Sequence, residues 1–236
     1  MSRKVLVILA AVSLLLTLPA ATLARADRAV LLGVHVMHMS HAKPQPTANC
    51  SNAPANPASG GYVFTGWEVQ GPKTARLNAS TLPGGLSTNA VVSALDASFT
   101  AWEQADGAVP DIDVSTGGTV TKATANHQYD LLFGRTGGSS IAVTYTWRWS
   151  NGEIESDTVF NSRLSWFMAT SEGDGCDESQ PRYDLRNIAT HEFGHTYGLT
   201  HPSGARWETM YAYGYTGETL KWSLGAGDTD GIRALY

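Results

Sequence analysis

The segment His191-Glu192-Phe193-Gly194-His195-Thr196-Tyr197-Gly198-Leu199-Thr200-His201 constrains this chain more than any other. Its pattern, H-E-x-x-H-x-x-G-x-x-H, calls for a helix that stops abruptly. His191 and His195 are four residues apart, so on a helix both imidazoles leave one face and can share a metal ion. Gly198 permits a left-handed backbone that ends the helix and turns the chain back. The reversal brings in His201 as a third neutral ligand and leaves a fourth position open, which separates a catalytic zinc site from a structural one. Glu192 lies beside the ligands, placed to move a proton rather than to bind the metal. Three of the seven histidines fall in this one segment, a concentration that a satisfied core does not require.

The 236 residues can hold one good-sized domain plus export and processing segments. Met1-Ser2-Arg3-Lys4, an apolar run from Val5 to about Leu18, and Ala24-Arg25-Ala26 read as a secretory signal peptide over residues 1–26, cut before Asp27. The alternative is a membrane anchor, for which the run is short. The expected product is secreted, extracellular, off the membrane after cleavage, and monomeric. A net charge of −5 with scattered basic residues offers no nucleic-acid footprint. Charged residues make up only 16% and Gly numbers 24, the look of an exported, loop-rich protein. Cys50 and Cys176 are expected to pair in an oxidising compartment. The competing reading has Cys50 as a thiolate that blocks the metal in a latent form.

Residues 27–60 read as a poorly ordered lead-in or propeptide, because Pro44, Pro46, Pro54 and Pro57 stand among Asn, Ala and Ser. Within it His35, His38 and His41 recur every third residue; a second metal site or an inhibitory segment stands against adventitious spacing with no role. The folded domain is placed at 61–236. Short strands are expected around Tyr62–Phe64 and Thr74–Asn78. Val91, Val92, Leu95, Phe99 and Trp102 recur at three- and four-residue steps and predict a helix over 88–104. Ile141–Trp149 is the best strand, with Val143, Tyr145 and Trp147 alternating with Ala142, Thr144 and Thr146. Ser150-Asn151-Gly152 turns the chain into a further strand at 154–160. The histidine-bearing helix should run from about Asp184, a candidate N-cap, to Tyr197, and a last helix should cover about 228–236.

The histidine motif, followed shortly by Trp207-Glu208-Thr209-Met210-Tyr211, resembles the metzincin clan of zinc endopeptidases and, within it, the matrixins. Met210 matches the methionine turn that passes beneath the metal in that clan, nine residues after His201. The tail Asp228-Thr229-Asp230-Gly231-Ile232-Arg233-Ala234-Leu235-Tyr236 resembles the matrixin closing helix, with Asp228 matching an acidic residue there. Ile154–Asn161 is similar to the strand before the zinc helix in bacterial matrixin-like proteases. The chain departs from that pattern in places. Pro202 follows the third histidine, as in serralysins, whose calcium repeats are missing. The cysteine-containing prodomain motif of vertebrate matrixins is absent, and so is their second, structural zinc site.

The resemblance implies an α/β (α+β) fold: a metzincin-like catalytic domain with a twisted, mostly parallel five-stranded sheet, three helices, and a zinc cleft between upper and lower subdomains. It implies one catalytic Zn2+ on His191, His195 and His201, with Glu192 as general base and protein or peptide substrates. Substrate should lie extended and add to an exposed edge strand around Ile141–Trp147, with the loop Tyr211–Leu220 walling the pocket beyond the scissile bond. Tyr213, three residues after Met210, stands either as an oxyanion donor or resting-state ligand or as pocket wall. Ca2+ through Asp157 or neighbouring carboxylates is open, with buried caps an equal explanation. The rival class is a binding module that keeps the zinc without turnover; an intact Glu192 speaks against it.

Overall fold

A computed structural model describes residues 27–40, 48–54 and 59–236. The expected export segment and His41 lie outside the described residues. In chain order come β1 (Ala29–Met39), β2 (Val63–Phe64), β3 (Lys73–Leu77), α1 (Thr88–Glu103), β4 (Ile112–Thr116), β5 (Tyr129–Gly134) and β6 (Ser140–Trp149). They are followed by β7 (Ile154–Asn161), β8 (Trp166–Phe167), β9 (Tyr183–Asp184), α2 (Leu185–Tyr197), β10 (Leu199–Thr200), β11 (Tyr213–Gly214) and α3 (Ala226–Leu235). No helix among the described residues is long and apolar enough to cross a membrane.

The main sheet has seven strands in the order β11-β1-β6-β7-β5-β3-β4. From β7 to β4 every neighbour is parallel, and β6 is antiparallel to β7. That run of five is the expected mostly parallel sheet. Two more strands lie beyond β6 and correct the expectation of five. β1 pairs with β6 antiparallel from Ala29↔Trp149 to His38↔Ser140, and β11 pairs with β1 in parallel.

β1 also corrects the reading of 27–60 as a lead-in outside the folded domain. No local turn or alternation marks Ala29–Met39 as a strand. Its partner lies over a hundred residues later in the chain, so the strand exists because the β6 edge is there to receive it. Residues 48–54 also join the body, because Cys50 forms a disulfide with Cys176, with Cα atoms 5.7 Å apart. Both cysteines are spent, which removes the latency-thiol reading.

The helices form as their patterns predict. On α1, Val91, Leu95, Phe99 and Trp102 are buried, the stripe that packs against α2. Phe99 and Phe193 stack at 3.7 Å, and the Trp102 indole N–H donates to the Thr190 carbonyl at 2.8 Å. Asp184 caps α2 by accepting the Asn187 N–H at 2.8 Å. On β6 the smaller residues Ala142, Thr144 and Thr146 are buried, while Tyr145 and Trp147 are only partly buried and stack on each other. Small side chains on the inner face leave room for α2.

Candidate metal centre

α2 delivers His191 and His195 from one face, and its end fixes the third ligand. Gly198 adopts φ 112°, and its N–H closes the helix on the Gly194 and His195 carbonyls, each at 3.1 Å. A Cβ at Gly198 would stand 2.2 Å from the Trp67 carbonyl oxygen, so space as well as φ demands glycine. The chain turns back through β10, held by β2, and presents His201.

The hydrogen bonds on the far sides of the rings decide what the near sides can do. His191 Nδ1 lies 2.7 Å from the Thr209 carbonyl, and His195 Nδ1 lies 2.9 Å from the Leu199 carbonyl. A carbonyl only accepts, so each Nδ1 carries the proton and each Nε2 presents a lone pair. These Nε2 atoms lie 3.1 and 3.0 Å from His201 Nε2. Three ring nitrogens converging so closely form a ready site for a cation. Three nitrogens at tetrahedral Zn–N bonds of about 2.0–2.1 Å would sit roughly 3.3 Å apart, close to what is found. Among the described residues, these three histidines are the only group of His, Cys, Asp or Glu whose donor atoms converge in this way. Burial holds the pKa of His191 and His195 well below the ordinary value and lowers His201 to about 4. The rings are therefore neutral, as ligation requires.

Met210 packs beneath the site. A Cβ on Gly194 would meet its Sδ at 2.3 Å, so the glycine lets the turn press against α2. The turn is held by Asp228, whose carboxylate accepts the N–H groups of Thr209, Met210 and Gly225. The acidic residue expected in the closing helix thus acts through the backbone under the metal.

Glu192 is fully buried, with one oxygen 2.5 Å from the Thr144 hydroxyl and the other, Oε1, without a hydrogen-bond partner. Burial raises its pKa to about 8, opposed by the Thr144 hydroxyl and the backbone N–H of Met37. Thr144 escaped the sequence reading; β6 alternation placed it on a strand but could not say what faced it. Tyr213 sits on β11, 43% exposed, with its ring near His38 and Tyr211. Among the described residues, no ring contact or hydrogen bond joins it to the three histidines. Asp157 uses its oxygens to accept the Thr124 and Asp130 N–H groups at 2.8 and 3.0 Å, the role of a buried cap. His35, singled out only for its spacing, lies at the site: its ring stacks on His195 with centroids 4.4 Å apart.

A mixed α/β domain carrying three converging, neutral histidines is the architecture of a metal-binding domain, and comparison with known proteins gives its family. The matrixin family matches residues 67–236, most of the chain, and the chain belongs to that family. It is 28% identical over 174 residues to Matrix metalloproteinase-25 of Homo sapiens, covering 72% of this chain and 28% of that protein. It is 35% identical over 85 residues to Neutrophil collagenase of Homo sapiens, covering 35% of this chain and 15% of that protein. The chain therefore spans less than a third of the length of these curated relatives.

Proposed function

We propose that this chain is a secreted zinc endopeptidase in which Glu192 is the general base. The observation that carries the reading is a buried carboxylate with one unpartnered oxygen, next in sequence to a three-histidine site whose ring nitrogens already converge. A zinc ion held by His191, His195 and His201 would supply Lewis-acid polarisation of the scissile carbonyl and acidify the attacking water. Glu192 takes the proton from that water and returns it to the departing amide nitrogen. Thr144 holds the carboxylate in place through its hydroxyl, leaving Oε1 free for the proton. A cation at the histidines would pull the Glu192 pKa down from its raised value, toward a base usable near neutrality. The disulfide suits an oxidising, extracellular setting.

The test is turnover of an unfolded protein by the zinc-loaded chain beside Glu192→Ala, with bound zinc measured in both. Loss of about 10²–10⁴-fold in the variant at unchanged zinc content is expected for a general base. Equal rates would sink the assignment. Because β1 lies along the β6 edge, the pair is also compared in a Met37→Asp background.

A further inference from the structure

β1 differs from every other long strand of the sheet. All eight residues of β7 are buried, whereas in the eleven residues of β1 only Met37 is. Val30, Leu31 and Val34 are 59%, 50% and 45% exposed. A strand that buries one side chain and leaves three large apolar ones in water contributes little to a core. It is held as a bound peptide is held, by main-chain pairing and one pocket.

The slot it fills is the one expected to receive substrate. β1 runs antiparallel to β6 along the whole edge and pairs in parallel with β11 at His38 and Met39, so its C-terminal end is gripped on both sides. The Met39 N–H donates to the Ser139 carbonyl at 2.7 Å, and the His38 N–H to the Ala212 carbonyl at 2.9 Å. Met37 fills a pocket walled by Ile141, Ile188 and the bare backbone of Gly214. A Cβ on Gly214 would lie 2.9 Å from the Met37 Cε. Two residues back on the same face, His35 stacks on the ligand His195, and its Nδ1 lies 3.3 Å from the Thr200 hydroxyl.

We infer that residues 29–39 are an internal, substrate-mimicking inhibitor, and that the cleft takes extended peptides carrying an unbranched apolar side chain where Met37 now sits. The inference rests on the peptidase reading for the word substrate, but occupancy of the slot can be tested without turnover. The full chain is loaded with zinc in a Glu192→Ala background, and binding of a dye-labelled peptide with the sequence of residues 29–39 is followed by anisotropy. Met37→Asp should expel the strand and let the peptide bind about tenfold more tightly or better, the scale set by burying one such side chain. Val30→Asp, a charge at an exposed position of the same strand, should leave binding as in the parent. With Glu192 restored, Met37→Asp should raise turnover of an unfolded protein by a similar factor.

Equal peptide binding by parent and Met37→Asp, at unchanged zinc content and melting temperature, would overturn the inference. Should Met37→Asp misfold, a recognition sequence for a site-specific protease in place of residues 41–47 allows β1 to be cut free after folding. Peptide binding that appears only after the cut supports the inference, and no binding after proven loss of the strand overturns it. The two readings fail separately. Binding that opens without any turnover sinks the peptidase and keeps the occupied slot. Turnover that is equal with and without β1 does the reverse.

Discussion

The segment 191–201 and the strand 29–39 meet at one site, yet they are held there in opposite ways. Around 191–201 the constraints are local. Asp184 caps the helix three residues on, Gly198 closes it on carbonyls three and four residues back, and His195 is oriented by Leu199 four residues later. Strand 29–39 has no comparable local device, and its pairs run from Ala29↔Trp149 to His38↔Ser140. The difference explains what could be read from the sequence. Spacing on a helix and a glycine after it are local chemistry, so the convergence of the three histidines, the cap and the reversal were all legible. Main-chain pairing carries almost no side-chain signature, so a strand gripped from a distance read as loose chain among prolines.

The same division runs through single residues. Trp102 was legible as buried because a helical stripe is periodic, and it is fully buried. Thr144 was placed on the right strand, but alternation is silent about which face meets α2. Its hydroxyl on Glu192 follows only from packing. Asp228 was marked by resemblance in the tail, while two of its backbone partners, Thr209 and Met210, lie in a turn that only the fold brings near.

The largest expected effect falls on the long-range side. Replacing both Cys50 and Cys176 by serine opens a link between residues 126 apart and should cost about 5 kcal/mol in the chain-entropy account. Urea midpoints measure the loss. Zinc affinity of the folded fraction should stay within a few-fold, because the site is built locally. Zinc affinity falling in step with stability would break the comparison.

On the other side, Asp228→Ala strands the N–H groups of Thr209, Met210 and Gly225 under the metal. Leaving buried donors unpaired should cost about 3 kcal/mol. Here zinc affinity should fall too, because the Thr209 carbonyl orients His191. Gly198→Ala sharpens the point at a smaller scale. The left-handed backbone and the Trp67 carbonyl oppose a methyl group, for about 2 kcal/mol. Since His201 hangs on that turn, isothermal titration should show zinc weakened more than stability alone explains. A variant that binds zinc like the parent would mean that the reversal is not what positions the third ligand.

An effect of another kind, read as a slope against pH, belongs to Asp157, a residue legible as strand whose partners are not. Burial, reinforced by Asp130 and Glu155, raises its carboxyl to about 8 in the folded chain, against an ordinary value of 3.8. Between those values the folded state keeps a proton that the unfolded state has released. The group's contribution is therefore complete below about pH 4 and is lost as pH rises through 8, by at most about 1.4 kcal/mol per pH unit. Asp157→Asn cannot ionise and still accepts the Thr124 N–H through its carbonyl oxygen. Its urea midpoint should decline less between pH 5 and 8.5 than the parent's, with both chains at the same metal content. Parallel profiles would show that Asp157 is ionised in the folded chain, held by its two backbone donors against the cost of burial.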